Sequence, residues 1–327
     1  KNRKFFNQND TVIGFIGAGN YTKSTLLPVF AKTKVKLNTL VSISGINGSQ
    51  LAKKYSFDFL TSDIDFLFRK SNCNTIVIAS RHDSHAKFVI DSIKQKMNIF
   101  VEKPLCLNLK ELNEIETNYY KYLDLNQKDR NPILMIGFNR RFAPLIQKLK
   151  SALKNNVSIK SIIYTCNAGF VEADHWIQST KYGGGRLIGE AIHFVDLLRF
   201  VIGSPIDDLK INFAKDDKSL NDTFIINIRF KDGSIGSINY FANGNKKFNK
   251  ERLEIFSNGQ IYQIDNFRQL NVWGKNKNLK EKLFFQDKGH SNCIKTFVNS
   301  IKNKSESPIP IDEIFEVHRK IFEAMNK

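Results

Sequence analysis

The sequence contains no run of about 18 apolar residues, the length a membrane-spanning helix needs, and its opening stretch KNRKFFNQND lacks the apolar core of a secretion signal. A soluble, cytoplasmic protein with no membrane insertion is expected. Cysteine is scarce: Cys73, Cys106, Cys166 and Cys293 stand far apart, with no CxxC pair and no histidine at metal-ligand spacing. That pattern argues against both a disulfide framework and a zinc site, so no metal is expected and the thiols read as reduced and buried. No internal repeat and no low-complexity segment occurs. Acidic residues are also in deficit, 32 against 50 Lys and Arg, for a net charge of +18. The lysines are scattered singly among Asn, Ile and Phe instead of gathering in one arm or helix, so no nucleic-acid partner is expected. Attraction to acidic small molecules such as phosphates stays open.

What is present is ample for two cores: 327 residues, 41% hydrophobic and 12% aromatic. An apolar strand at Val12 to Ile16 is followed by a glycine turn and a helix. Similar strands return at LNTLVSIS, TIVIAS, NIFVEK and ILMIGFN, separated by stretches such as SHAKFVIDSIKQK in which apolar residues recur at three and four. Nearly all-apolar strands alternating with helices argue for a parallel sheet covered on both faces. Residues 1–138 therefore read as a Rossmann-type, doubly wound nucleotide-binding domain. Over 139–327 the pattern changes to short alternating segments, SIIYTCNAGF, LKINFAK, DTFIINIRF, SIGSINYFA, ERLEIFS and QIYQIDNF, divided by turns such as KDGS and SNGQ. These suit an α+β domain with an open-faced, mainly antiparallel sheet. Two helices, about 289–303 and 311–326, close the chain.

Four stretches carry chemistry. GAGNYT sits between the first strand and first helix, where Gly17 permits a tight turn and Gly19 lets backbone approach a pyrophosphate. Asn20, Tyr21 and Thr22 complete this loop, with Thr22 in place of the fingerprint's third glycine; the competing reading is a merely tight turn. The second strand ends in SISGIN, so Ser44 stands where an acidic residue usually holds the adenosine ribose. Loss of that charge admits NADP, and no arginine follows closely, so NAD is equally admitted. Lys103 of VEKPL follows the fifth strand, either beside a nicotinamide or as a surface lysine before a proline. GGGRLIGEAIHFVD sets Glu190, His193 and Asp196 three residues apart, which on a helix makes them neighbours on one face.

Taken together, the glycine loop, EKP at 102–104, GFNRRFAP at 137–144 and GGG...HFVD at 183–196 resemble the Gfo/Idh/MocA oxidoreductases in order and spacing. The wording is most similar to the oxidoreductase half of two-part bacterial proteins, in which it follows a zinc-dehydrogenase-like half, often in surface-polysaccharide contexts. The start at Lys1 instead of Met is compatible with such a fused or associated domain. The resemblance implies a catalytic group formed by the EKP lysine, an aspartate on the glycine-opened helix and a histidine four residues after it. Lys103 and His193 match; the aspartate position is Gly189, with Glu190 one residue later, either orienting the imidazole or serving as a structural group. Ser80, His85 and Glu102 are expected with Lys103 beside the cofactor. Arg81, in the unusual SRHDSH stretch, either binds an anionic substrate or packs on the cofactor.

Arg141 falls at the family's arginine position, either as a fork for an anionic substrate group or as an interdomain salt bridge. His175 and Trp176 offer a ring surface for a sugar, core packing being the other explanation for the tryptophan. Asp196 is expected to support the site from behind. The resemblance implies an NAD- or NADP-dependent oxidoreductase moving a hydride to or from a secondary alcohol or ketone of a sugar, sugar nucleotide or cyclitol. The alternative is a non-catalytic protein that keeps the pocket to sense a ligand or support a partner. An open sheet face, which needs covering, together with the resemblance implies a homo-oligomer, a dimer or a tetramer.

Overall fold

The computed structural model describes residues 11–43, 45–122, 132–154, 156–215, 220–274 and 278–326. The chain forms two compact units, each assembled from separate segments. The first comprises Lys1–Cys106, Lys110–Gly137 and Ser291–Ile311; the second Leu107–Leu109, Phe138–His290 and Asp312–Lys327.

In the first unit β1 (Val12–Ile16), β2 (Lys36–Val41), β3 (Phe59–Thr61), β4 (Thr75–Ile78), β5 (Asn98–Val101) and β6 (Leu134–Ile136) form one parallel sheet in the order β3-β2-β1-β4-β5-β6. All five residues of β1 and all four of β4 are buried, because a parallel strand covered on both faces must be apolar at every position. Helices α1 (Leu27–Lys32), α2 (Gly45–Lys54), α3 (His85–Lys94) and α4 (Leu109–Tyr122) alternate with the strands. The strand order reverses between β1 and β4, and ligands collect in the crevice outside the carboxyl ends of strands at such a point. Further along the chain, α7 (His290–Lys302) belongs almost wholly to this unit, with Phe297 tilted on Phe100 of β5 at 5.4 Å.

The second unit holds α5 (Pro144–Leu153), which opens on a helix-compatible proline, and α6 (Ile192–Ile202), which stops at the left-handed Gly203. Its sheet runs β14-β13-β12-β11-β7-β10-β9-β8. The strands are β7 (Ser161–Asn167), β8 (Ile206–Phe213), β9 (Phe224–Phe230), β10 (Ile235–Phe241), β11 (Glu251–Ser257), β12 (Gln260–Asp265), β13 (Gln269–Trp273) and β14 (Leu279–Lys282). Only β7 and β10 pair in parallel. Alternation gives it one buried face, with Ile162, Tyr164, Ile238, Tyr240, Leu253 and Ile255, and one half-exposed face that includes Ile235, Phe256, Ile261 and Trp273. Asn258 and Gly259, both at positive φ, make the two-residue hairpin between β11 and β12. The last helix, α8 (Ile311–Met325), supplies Glu313 and Glu316 to this unit.

A cluster of charge sits at the start of β11. The buried Glu251 carboxylate accepts from Arg140 Nε at 2.7 Å and Nη2 at 3.0 Å, from Lys288 Nζ at 2.7 Å and from the Tyr164 hydroxyl. Burial alone would push this carboxyl up, but Arg140 and Lys288 outweigh it and hold it well below the usual range. A group so depressed contributes stability that is present above its unfolded pKa and lost as pH falls toward its folded value. Glu251→Gln leaves Arg140 without its counter-ion, so unfolding in urea, read by Trp176 and Trp273, both in this unit, is expected to become easier by about 3–5 kcal/mol at neutral pH. An unchanged midpoint would contradict this account of the cluster.

Candidate active site

Two loops of the first unit flank the switch point. After β1 the chain turns at Gly17, whose φ of 109° suits glycine and whose missing side chain lets the Ala79 backbone close in. Helix follows from Asn20 to Lys32, wound as a π-turn over Thr22–Leu26. Gly19 and Asn20 are exposed and Tyr21 is 39% exposed. A Cβ at Gly19 would meet no atom within 4 Å, so the space before this helix start is open. The Thr22 hydroxyl is buried with no hydrogen-bond partner among the described residues. Ser44 lies outside the described residues.

The second loop, after β4, carries Ser80 and Arg81. Ser80 Oγ lies 2.6 Å from Ser84 Oγ, and Arg81 is exposed. His85 departs from its expected place at the cofactor: its ring is wholly buried, with Nδ1 2.7 Å from the Pro104 carbonyl and Nε2 3.1 Å from the Ser80 carbonyl. Burial lowers its pKa. The ring braces the loop after β4 against the loop that carries Lys103, instead of facing a ligand. Lys103 itself is half-buried just past β5. Its neighbour Glu102 is buried with its carboxyl pushed up to about 7 by burial, against the downward pull of Lys103. Gly137 leaves room for that carboxylate, since a Cβ there would lie 2.7 Å from Oε1.

In the second unit the triple glycine opens the helix as expected, but its first turn differs from the expected α-helix. Leu187–Ala191 is wound as a π-turn that leads into α6, so the three-residue spacing from Glu190 to His193 crosses a change of helical pitch. Glu190 pairs with Arg186, Nε to Oε1 at 2.9 Å. His193 is buried, its ring edge-on to Phe138 at 5.8 Å. Gly183 packs on the backbone of Trp176 and Ile177, which ties the loop before the glycines to the helix start. His175 is exposed and accepts from the Ile177 N–H at 3.3 Å, while Trp176 is half-buried beside it at 5.9 Å between ring centroids.

Two expectations change here. Arg141 is only 3% exposed and its fork is committed inside the second unit, with Nε and Nη2 on Asp196 at 2.6–2.9 Å and Nη1 on Glu313 at 2.6 Å. It therefore serves no anionic substrate group. Asp196, fully buried against Arg141, is structural for the same reason and turns no oxygen toward a ligand. Three participants went unread in the sequence: Arg186, Tyr240 and Glu313. The spacing of Arg186 to Glu190 is a legible helical ion-pair signal, whereas Tyr240 and Glu313 arrive from distant segments. Among the described residues no group of three or more His, Cys, Asp and Glu side chains could hold a metal ion, and no helix is long and apolar enough to cross a membrane.

The arrangement agrees with what known proteins share with this chain. Residues 11–121 match the model of the oxidoreductase family with an NAD-binding Rossmann fold, and residues 157–262 match the GFO/IDH/MocA C-terminal domain. The chain belongs to the Gfo/Idh/MocA family of oxidoreductases, and its first unit is an NAD-binding Rossmann domain. It is 24% identical to the uncharacterized oxidoreductase YrbE of Bacillus subtilis over 80% of this chain and 75% of that protein. It is 27% identical to the myo-inositol 2-dehydrogenase of Thermotoga maritima over 68% of this chain and 66% of that enzyme. Levoglucosan dehydrogenase in complex with NADH superposes with a TM-score of 0.79 at 17% identity, covering 97% of each chain, which establishes a shared fold.

The residues present fit the dinucleotide. Open space at Gly19, the close turn at Gly17 and the orphaned buried hydroxyl of Thr22 lie together at one helix start, whose unsatisfied N–H groups favour a phosphate. Because nothing surrounds Gly19, Gly19→Val is expected to fold normally while its side chain fills the room a pyrophosphate needs. NADH affinity, followed by nicotinamide fluorescence, should fall at least about tenfold with unchanged thermal unfolding, a contact loss of roughly 1.4 kcal/mol or more. Full affinity in the variant would show that the loop has another use.

Proposed function

We propose that the chain interconverts a secondary alcohol and the corresponding ketone on a cyclitol or sugar, using NAD. The observation that carries this reading is the buried imidazole of His193 on the helix opened by three glycines, in a chain whose Rossmann unit presents Lys103 at the end of β5. The similarity to a myo-inositol 2-dehydrogenase supports a polyol substrate. When bound, the nicotinamide supplies the acceptor or donor of the hydride.

The remaining work falls to the chain's own side chains. His193 takes the proton from the substrate hydroxyl during oxidation and returns it during reduction. Burial of its ring limits competing proton exchange with water. Lys103 donates a hydrogen bond to the same substrate oxygen and stabilises the negative charge that gathers there. Glu190, ion-paired with Arg186, supplies the carboxylate that supports His193 when the ring is cationic. Trp176, half-buried behind the glycines, offers a ring face to the apolar side of a sugar, with His175 at its edge. Arg81, exposed after β4, is the guanidinium placed to meet an anionic substituent. The half-exposed sheet face with Ile235, Phe256, Ile261 and Trp273 supports association of copies of this chain.

A panel of inositols and aldoses, scored by NAD reduction in absorbance, tests the substrate class directly. On the best substrate His193→Ala is expected to lower kcat by about 10²–10⁴-fold while the Kd for NADH changes less than about twofold. Unchanged kcat in the variant would remove His193 from proton transfer.

A further inference from the structure

Arg186, which stands immediately before the π-turn that leads into α6, is a buried cation that takes no proton step in the proposed reaction. Arg186 is 2% exposed, and its Nε lies 2.9 Å from Glu190 Oε1 and 2.7 Å from the Tyr240 hydroxyl. Nη1 reaches the Gly169 carbonyl at 3.4 Å, and the guanidinium stands over the Tyr240 ring at 5.3 Å. Tyr240 is itself enclosed: it is fully buried on β10, within the sheet, and its ring stacks on Phe224 at 4.8 Å and 5°. Its hydroxyl accepts from Arg186 and is hydrogen-bonded to Glu190. Glu190 alone of the three reaches outward, its side chain 22% exposed against 2% for Arg186.

This geometry has a consequence for charge. A guanidinium does not lose its proton, so a buried one keeps its counter-ion charged or bears a large desolvation penalty. The groups that face the Glu190 carboxylate include Arg186 from its own turn, Tyr240 from β10 and Cys166 from β7. Burial pushes the Cys166 thiol up to about 12 and the Tyr240 hydroxyl well above its usual range, so both stay neutral, while Arg186 is the cation paired directly with the carboxylate. Gly189, where the family resemblance implies an aspartate, brings no carboxylate of its own, and the turn instead presents one a single residue later.

We infer that Arg186 and Tyr240 are positioning residues that hold Glu190 as a fixed, ionised carboxylate for the reaction, in place of an acid that titrates. The inference rests on the role given to Glu190 under the proposed function.

The test uses the full chain, labelled with glutamate carrying 13C at the side-chain carboxyl. The Glu190 resonance is assigned by its loss in Glu190→Gln, and its titration is followed by NMR. The wild-type midpoint of Glu190 serves as the reference. In Arg186→Gln its midpoint should rise by at least about one unit, in Tyr240→Phe by less in the same direction, and Arg186→Lys should restore it. An unmoved midpoint in a folded Arg186→Gln, or in Tyr240→Phe should the first variant fail to fold, overturns the clamp. With the best polyol from the panel, the acidic limb of the kcat profile should move up with the carboxyl, a loss of about tenfold on its acid side per unit, with KM for NAD unchanged. A moved carboxyl with an unmoved kcat profile overturns the positioning role. A wild type that turns over no polyol refutes the proposed function alone, because the NMR titration still decides the clamp.

Discussion

A charge removed from water has to meet its opposite, and the second unit is organised around that constraint. Arg140 closes on Glu251, Arg141 on Asp196 and Glu313, Arg186 on Glu190, and Arg199 on Glu316. Removing one partner from such a pair leaves the other uncompensated, which costs far more than the pair itself contributes. The pairs join segments distant in sequence: the turn after β6 to β11, the same turn to α6 and α8, and α6 to α8. Held this way, the apolar α6 keeps His193 at a defined place and pitch. Arg140, Arg141, Arg186 and Arg199 are consumed in this framework, which leaves the Arg141 fork committed to Asp196 and Glu313.

The first unit solves its problem with backbone instead of charge. Its functional loops come from the carboxyl ends of β1, β4 and β5, and what distinguishes them is space: the open position at Gly19, the close turn at Gly17 and the room left for Glu102 by Gly137. His85 then links the second and third of these loops through two carbonyl oxygens. A ring enclosed to this degree sets the position of Lys103 without touching a ligand. The first unit thus offers helix-terminal N–H groups and open space, whereas the second is built on ion-paired side chains.

Much of this was legible in the sequence because it is local. An unbroken apolar strand followed by two glycines and a helix identifies the Rossmann start, and alternating apolar residues identify β7 to β12. Strands β3 and β14 escaped because they are short and largely exposed, so they carry no apolar alternation to read, whereas the alternating Leu270 and Val272 of β13 were legible and went unread. The second unit's mainly antiparallel sheet was foreseen, but not the pitch change at Leu187–Ala191, since no residue type marks a π-turn. Asp196 looked like a site residue because three-residue spacing from His193 is a strong local pattern. Its actual partner, Arg141, is 55 residues away in sequence, and Arg141's second carboxylate, Glu313, is 172 away. Only a fold reveals pairs at that range.

The central claim is that this chain moves a hydride between NAD and the carbinol carbon of a polyol. The most direct measurement is to incubate the protein with a ketocyclitol and NADH deuterated at nicotinamide C4, using each stereochemical form of the label in turn, and to analyse the product by mass spectrometry. One deuterium bonded to the new carbinol carbon, from one form of the label and not the other, is the predicted result. An alcohol product without deuterium from either form, or no reduction of any ketocyclitol or ketose by a protein that binds NADH, would contradict the account.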